Sequence, residues 1–150
     1  MLEHQNTKPE PITKDDASWF QPLFKACFDR EELWSQHLGD RKYEAFHIDK
    51  QAFIFTYTVD DSTDLLTIGV HPDQRKKGLA TYLLKWAIAK APEGQFFFLD
   101  VECQNIAAIQ LYKKIGFEFV SIRKGYYPQL SAPALDAFVM TYQKLPKPLS

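Results

Sequence analysis

One segment, residues 67–91, constrains the fold of this chain more than any other, and it reads TIGVHPDQRKKGLATYLLKWAIAKA. It begins with apolar residues typical of a buried strand, continues through a basic turn that contains Gly78, and ends in a helical pattern. The apolar residues of this pattern follow the spacing of one buried helix face: Ala80, Leu83, Leu84, Ala87, Ile88 and Ala91. The segment therefore predicts a strand that enters a helix through a glycine-containing turn.

The predicted turn has the features of a phosphate-binding site. The first backbone N–H groups of a helix have no partner within the helix, and the helix dipole adds partial positive charge there. Two nucleotide motifs do not fit, because Leu79 stands where a P-loop needs Lys and Gly78 lacks the other glycines of a dinucleotide fingerprint. We expect a ligand that carries phosphate groups. The alternative is a solvated basic turn that caps an ordinary surface helix.

Periodicity and turn residues predict an α/β fold with a mixed sheet. Strands are predicted near residue 12 and over residues 43–47, 52–59, 65–71, 96–102, 117–126 and 134–142, and helices over residues 13–28, 29–38, 80–91 and 105–115. A capping box of Thr13 and Asp16 opens the first helix, Gly116 ends the last, and residues 60–63 form a turn. We expect residues 1–10 to be a loose tail and residues 1–150 to form a single domain.

Composition and charge exclude several classes of protein. A formal net charge of −1 gives no broad basic face for nucleic acid. No apolar run approaches the ~20 residues of a membrane span, and the N-terminus lacks the apolar core of a signal peptide. Two cysteines, Cys27 and Cys103, are too few for a disulfide framework, and the four histidines lack the spacing of metal ligands. We expect a cytoplasmic monomer that binds no nucleic acid, membrane or metal.

Two motifs identify a family resemblance. The turn Arg75-x-x-Gly78-x-Ala80 resembles the (Arg/Gln)-x-x-Gly-x-(Gly/Ala) signature of the GNAT acetyltransferases. A second block, from Leu99 to Phe117, resembles the family pattern L-x-V-x-x-x-N-x-x-A-I-x-L-Y-x-x-x-G-F. The resemblance implies the GNAT fold, with a mixed, mostly antiparallel sheet of six to seven strands and about four helices. It also implies transfer of an acetyl group from acetyl-CoA.

The resemblance further implies which residues bind acetyl-CoA. In the family the helix N-terminus binds the coenzyme A diphosphate, and the pantetheine arm lies along the preceding strand. The matching positions in this chain are Ile68, Val70, Arg75, Lys76, Lys77, Gly78, Leu79, Ala80, Thr81, Asn105 and Tyr112. Tyr112 also matches the tyrosine that protonates the departing thiolate.

The chemistry of Tyr112 can be argued without the family. Ala108, Leu111, Tyr112 and Ile115 share one helix face in the predicted pattern, so the phenol points toward the sheet. A phenol with a reference pKa of ~10 is suited to protonating a thiolate of slightly lower pKa. The alternative is a buried aromatic residue whose hydroxyl is satisfied within the protein.

Two carboxylates are candidates for the base that removes a proton from the attacking amine. Alternation along residues 96–102 places Phe96, Phe98, Asp100 and Glu102 on one face of the predicted strand. Asp100 lies between Leu99 and Val101, where burying an acid without a role is costly. The alternative for Glu102 is a solvated residue at the end of the strand.

The C-terminal block indicates the substrate. It resembles RimI-type protein N-terminal acetyltransferases in Arg123, Tyr126, Tyr127, Asp136, Ala137 and Met140. The resemblance implies that Arg123, Tyr126 and Tyr127 bind a protein N-terminus, and that the substrate is protein eighteen of the small ribosomal subunit. Asp100 departs from the pattern, which carries Glu, so a water relay or Glu102 would serve as base. The alternatives are acetylation of a small amine or a lysine, and a non-catalytic acyl-CoA-binding module.

Overall fold

The computed structural model describes residues 7–29, 37–129 and 132–146 of the chain. Its strands are β1 (Glu10–Pro11), β2 (Tyr43–Ile48), β3 (Ala52–Val59), β4 (Ser62–Val70), β5 (Phe96–Glu102), β6 (Glu118–Tyr127) and β7 (Leu135–Gln143). The helices of these residues are α1 (Ala17–Phe28), α2 (Leu79–Lys90) and α3 (Ile106–Ile115). The α/β class is confirmed, whereas the helix predicted over residues 29–38 falls largely on residues 30–36, outside the described residues.

The seven strands form one mixed sheet in the order β1-β2-β3-β4-β5-β7-β6. The pairs β1/β2, β2/β3, β5/β7 and β6/β7 are antiparallel, and β4/β5 is parallel. The parallel register joins Ser62–Leu65 to Phe96–Leu99 and ends there, although both strands continue. The expected mixed, mostly antiparallel sheet of six to seven strands is thus confirmed.

Contacts divide the chain into two compact units: unit 1 comprises residues 1–59 and 66–90, and unit 2 comprises residues 60–65 and 91–150. The core of unit 1 is aromatic, because α1 packs its phenylalanines on β3. The ring of Phe20 lies 5.0 Å from that of Phe53 and 5.3 Å from that of Phe55, and all three are fully buried. Burying a side chain of this kind stabilises the fold by roughly 1.5–3 kcal/mol.

Local signals position the helices of unit 1. Thr13 and Asp16 form the predicted capping box at the 3-10 turn before α1, where the Thr13 N–H donates to Asp16 Oδ2 at 2.7 Å. The buried face of α2 begins one residue earlier than predicted, at Leu79, and Ala80 is only partly buried. Leu79 adds a large apolar side chain to the inward stripe, so the first turn of α2 is held on the core.

In unit 2, β5 alternates as predicted, with Phe97, Leu99 and Val101 buried and the intervening residues half-buried. Tyr112 of α3 packs on Phe117, with ring centroids 5.8 Å apart. The predicted inward face of α3 needs correction, because Ile109 and Tyr112 are its buried residues. Three further members of the predicted face are only partly buried: Ala108, Leu111 and Ile115.

The predicted turn over residues 60–63 was too long. Asp60 and Asp61 alone form it, with Asp60 in the left-handed region at a φ of 54°, and β4 already begins at Ser62. Thr63 belongs to the strand because its side chain is buried and its hydroxyl accepts a hydrogen bond from Gln95 Nε2 at 3.0 Å. The polar side chain of Thr63 led to the prediction of a turn. In the structure its hydroxyl is hydrogen-bonded inside unit 2, so Thr63 can lie in a strand.

Candidate active site

The turn before α2 has the backbone geometry of an anion-binding helix N-terminus. Gly78 has a φ of 79°, a left-handed value that costs residues with a side chain about 1–2 kcal/mol. Its carbonyl accepts the N–H of Tyr82 at 3.0 Å, so the N–H groups of residues 79–81 have no partner within the helix. None of residues 75–81 is acidic, and the turn therefore fits a ligand with negative charge.

Arg75 stabilises the same turn through hydrogen bonds inside unit 1. Its Nε donates to the carbonyl of Val70 and its Nη2 donates to the carbonyl of Cys27, both at 3.3 Å. The Lys77 ammonium donates to Gln74 Oε1 at 3.0 Å. Two of the three basic residues implied as cofactor ligands thus make contacts inside the protein. Their role toward acetyl-CoA, and that of Ile68, Val70 and Lys76, stays a prediction.

Asp100 of β5 pairs with Arg123 of β6. The distance from Arg123 Nε to Asp100 Oδ1 is 3.4 Å, and the two side chains are 54% and 27% exposed. Asp100 Oδ1 is shielded from solvent and has no hydrogen bond in the described residues, so the contact is ionic attraction without hydrogen-bond geometry. The residue predicted to bind substrate therefore touches the residue predicted to act as base.

Tyr126 and Tyr127, at the end of β6, lie beside this pair. The Tyr127 hydroxyl donates to the backbone carbonyl of Asp100 at 3.3 Å. The Tyr126 ring meets the Tyr127 ring edge-on at 5.0 Å and lies 5.2 Å from the Arg123 guanidinium carbon, while remaining 46% exposed. Glu102 projects from the same face of β5 as Asp100. The structure thus brings the predicted substrate residues and the predicted base together within unit 2.

Tyr112 is almost completely enclosed, with 8% of its surface exposed. This burial, together with the nearby Tyr127 phenol, raises the pKa of Tyr112 to about 12. The phenol therefore keeps its proton at physiological pH. Asn105, predicted to contact the cofactor, caps α3 by accepting the N–H of Ala108 at 3.2 Å, and its role toward a ligand stays a prediction.

Sequence reasoning missed Asp64 of β4. Its register partner in the parallel pair is Phe98, so Asp64 shares one face of the sheet with Phe98 and Asp100. Partial burial and the Asp100 charge raise the pKa of Asp64, and Arg123 opposes that shift. Alternation within β4 does not reveal that Asp64 and Asp100 share a face, because this depends on the register between two strands.

Other candidate centres in the described part of the chain are weak. Burial raises the pKa of the Cys27 thiol to about 11, which makes it a poor nucleophile, and Cys103 is a free, half-buried thiol. Within residues 7–29, 37–129 and 132–146, no group of three His, Cys, Asp or Glu side chains could hold a metal ion. None of the helices in these ranges is long and apolar enough to cross a bilayer.

Comparison with known proteins identifies the family. Residues 15–117 match the model of the acetyltransferase (GNAT) family. The chain is 33% identical over 116 residues to the ribosomal protein bS18-alanine N-acetyltransferase of Escherichia coli K12, covering 73% of this chain and 77% of that protein. It is 36% identical over 74 residues to the N-alpha-acetyltransferase RimI of Mycobacterium tuberculosis, covering 49% and 44%. The crystal structure of the E. coli S18-alanine enzyme superposes with a TM-score of 0.80 at 25% identity, covering 94% and 96%. The chain therefore belongs to the GNAT acetyltransferase family.

Proposed function

We propose that this acetyltransferase modifies the N-terminal α-amine of a protein, and that the protein is ribosomal, as the name of the E. coli relative states for that enzyme. One observation carries the proposal: the β6 side chains expected to bind a protein N-terminus touch the expected base. Arg123 Nε lies 3.4 Å from Asp100 Oδ1, and the Tyr127 hydroxyl bonds the Asp100 carbonyl. An incoming amine held by these β6 side chains would thus lie near the Asp100 carboxylate, which can accept its proton.

Acetyltransferases of this family use acetyl-CoA, and one solved relative, from Arabidopsis thaliana, is in complex with it. The turn at Gly78 fits the diphosphate, because its backbone comes close without a Cβ and the N–H groups of residues 79–81 are available to an anion. Lys76 adds positive charge beside them. Acetyl-CoA supplies the activated acetyl group when bound, and the residues of unit 2 move the protons.

Starting from the ammonium form, the transfer removes two protons from nitrogen, one before attack and one as the amide forms, and delivers one proton to sulfur. The nitrogen bonds to the acetyl carbon, the carbon–sulfur bond breaks, and the thiolate leaves. An α-amine has a pKa of ~8, so near neutral pH most of the substrate is ammonium and must lose a proton before it attacks. Asp100 is the proposed acceptor. Because aspartate is one methylene shorter than the glutamate of RimI-type enzymes, we propose that a water molecule relays the proton, with Glu102 as the alternative acceptor.

Tyr112 is the proposed donor to the departing sulfur. Its raised pKa of about 12 keeps the phenol protonated over the whole range in which the amine is attacked. A donor fixed in a buried site stabilises negative charge on the sulfur as it develops, without reorganising water. Asp100 and Tyr112 therefore serve opposite ends of the reaction, one taking a proton and the other providing it.

A substrate panel tests the proposal. The purified chain is incubated with acetyl-CoA and with a basic peptide that begins with alanine, and the modified atom is located by tandem mass spectrometry. The matched controls are the same peptide with a blocked N-terminus and an internal lysine, and spermidine. We expect acetylation of the free α-amine only, and its loss in Tyr112→Phe.

Other outcomes contradict the proposal. Equal kcat/KM on the blocked peptide or on spermidine indicates a lysine or small-amine acetyltransferase. Binding of acetyl-CoA without turnover of any acceptor indicates an acyl-CoA-binding module. Intact masses of ribosomal proteins from cells with and without this protein then identify the natural substrate. A ribosomal protein should lose one acetyl group when the gene is removed.

A further inference from the structure

Strand β6 departs from regular pairing with β7 near its C-terminal end. Arg123 is the register partner of Ala137, which is fully buried and has only a methyl side chain, and Tyr127 is the register partner of Leu135. Four steps along β6 therefore correspond to two steps along β7. The three intervening residues of β6 face a single intervening residue of β7, Asp136, so β6 contains a bulge at this point.

The side chain of Asp136 holds the bulge, which comprises residues 124–126. Its Oδ1 accepts the N–H of Gly125, the middle residue, at 2.9 Å. Gly125 has a φ of 64°, a left-handed value that glycine adopts without steric cost. The backbone of Asp136 is held separately, because its carbonyl accepts the N–H of Cys103, just after β5, at 2.9 Å. The carboxylate thus ties the bulge to a residue that is itself fixed beside β5.

The bulge accounts for the contact between two consecutive tyrosines. In a regular strand Tyr126 and Tyr127 would point to opposite faces of the sheet. In the structure their rings meet edge-on with centroids 5.0 Å apart, and the Tyr126 ring lies 5.2 Å from the Arg123 guanidinium carbon. The three side chains implied to bind a protein N-terminus are therefore grouped by a local distortion of β6.

We propose that Asp136 is a positioning residue for the acceptor peptide, because its hydrogen bond to Gly125 holds the bulge that groups these three β6 side chains. The inference rests on the proposed function, in which the same side chains bind a protein N-terminus. A site that must become ordered on binding loses affinity to conformational entropy, whereas a preformed site does not. Without the Asp136 carboxylate, the bulge can adopt other conformations and the peptide binds less tightly, while the proton transfers at Asp100 and Tyr112 stay available.

The geometry can be measured without activity in the full chain. Hydrogen exchange of the Gly125 amide reports the hydrogen bond, and nuclear Overhauser effects between the rings of Tyr126 and Tyr127 report their contact. In Asp136→Ala we expect the amide to exchange about tenfold faster and the ring contact to be lost. Asp136→Asn keeps an oxygen acceptor and should keep both signals. Asp61→Ala, at an exposed turn of unit 2, is the matched control and should change neither. Wild-type signals in Asp136→Ala overturn the proposal.

The consequence for binding is measured as kcat and KM for the alanine peptide and for acetyl-CoA. Asp136→Ala should raise the peptide KM about tenfold, while kcat and the KM for acetyl-CoA stay within about twofold, the pattern of lost ground-state binding. Asp136→Asn should restore the peptide KM, because the hydrogen bond does not need the charge. If Asp136→Asn instead behaves like Asp136→Ala, the carboxylate charge attracts the peptide ammonium directly, and the positioning role is overturned.

A second variant tests the bulge from β6 itself. A Cβ added at Gly125 would lie 3.8 Å from the Ala134 Cβ, an ordinary contact, so Gly125→Ala strains the left-handed backbone without a steric clash. It should raise the peptide KM as Asp136→Ala does, with acetyl-CoA affinity by calorimetry showing that the chain is folded. A wild-type peptide KM in Asp136→Ala overturns the proposal. A raised KM in Asp136→Ala alone also overturns it, because Asp136 would then act by a route other than the bulge.

Failure of this inference is distinguishable from failure of the proposed function. If the wild type acetylates the α-amine and Asp136→Ala keeps the wild-type peptide KM, only the role of Asp136 fails. If the wild type acetylates spermidine or lysine and not the α-amine, both ideas fail together, whatever the exchange of the Gly125 amide shows. Acetylation of the α-amine, with a peptide KM raised in Asp136→Ala and restored in Asp136→Asn, supports both.

Discussion

The phenol of Tyr127 donates a hydrogen bond to the backbone carbonyl of Asp100 at 3.3 Å. The strands that carry these residues are not neighbours, because β7 lies between β5 and β6. A link across an intervening strand restricts how far the end of β6 at Tyr127 can move from Asp100. The residues predicted to hold the peptide are therefore fixed relative to the predicted base before any substrate arrives.

Removing this link should loosen unit 2 without unfolding it. Tyr127→Phe deletes one hydroxyl, and we expect the free energy of unfolding to fall by about 0.5–1.5 kcal/mol, the usual contribution of a hydrogen bond. Tyr126→Phe is the control, since it deletes the same group one residue earlier and keeps the Tyr127–Asp100 bond. Urea unfolding of both variants decides the point, and equal stability losses would contradict it.

Tyr112 should matter for the rate and little for binding. Tyr112→Phe keeps the packed ring and removes only the proton donor, so kcat should fall by about 10²–10⁴ while acetyl-CoA affinity is kept. Tyr142→Phe, a change at a ring that also packs on Phe117, is the matched control and should keep its activity. A near-normal kcat for Tyr112→Phe would indicate that Tyr112 contributes to packing and not to catalysis.

The raised pKa of Tyr112 has its own test. A tyrosine with a pKa of about 12 is protonated at pH values where an ordinary phenol, with its usual pKa of 10.0, is half ionised. The activity that needs the protonated phenol should therefore show no decline attributable to Tyr112 up to about pH 10. The phenolate absorbance of the wild type minus that of Tyr112→Phe should stay near zero between about pH 9 and about pH 11. An absorbance step at pH 10 in this difference contradicts the assignment.

Two substitutions at Gly78 separate the effect of charge from the effect of backbone strain at the proposed diphosphate site. Asp and Asn are nearly the same size, and both tolerate the left-handed φ of 79° better than most residues. Gly78→Asp should weaken acetyl-CoA binding tenfold or more, about 1.4 kcal/mol, because its carboxylate repels the diphosphate. Gly78→Asn should weaken it less. Calorimetry measures the acetyl-CoA affinity of both variants. Equal affinities would contradict binding of the diphosphate at this turn.

His47 should make unit 1 sensitive to acid. Its ring is 7% exposed and packs on Trp19, and its Nδ1 accepts the N–H of Lys50 at 3.1 Å. Burial lowers the pKa of His47 below its ordinary value of 6.5, although nearby carboxylates oppose this. As the pH falls below 6.5 the unfolded chain binds the proton first, so stability decreases down through the lower folded-state pKa.

The measurement compares unfolding free energies between about pH 7 and about pH 5. His47→Asn keeps a hydrogen-bond acceptor but cannot titrate, so it should lose less stability over this range than the wild type. Lys50→Gln removes one of the charges that lower the pKa of His47, so it should reduce the wild-type decrease, but by less than His47→Asn does. Parallel pH dependence in wild type and His47→Asn would assign the acid sensitivity to other groups.

Most elements of this fold could be predicted because their patterns are local. Alternation over residues 96–102 and the helical period over residues 80–91 depend on residues a few positions apart. Asn105 and Gly116 bound α3 as expected. The turn over residues 60–63 was predicted too long because the type of Thr63 indicates a turn, whereas its partner, Gln95, is distant in sequence.

Contacts between strands lay beyond the sequence patterns. Asp64 joins the candidate site only because the parallel register makes Phe98 its partner. Arg123 was expected to face substrate, and its contact with Asp100 depends on the position of β7 and on the small side chain of Ala137. Such contacts follow from register, which a pattern of residue types in one strand does not contain.

The hydrogen bonds of Arg75 affect when the turn at Gly78 forms during folding. Its guanidinium bonds the carbonyl of Cys27, 48 positions away, as well as that of Val70. A loop of that length must close before both bonds can form, so the turn reaches its final shape only with the tertiary structure of unit 1. An excised peptide of residues 67–91 would contain every letter of the motif but would lack the Cys27 carbonyl. The affinity for a diphosphate that we propose for this turn would in this sense be acquired on folding, and the motif alone would not possess it.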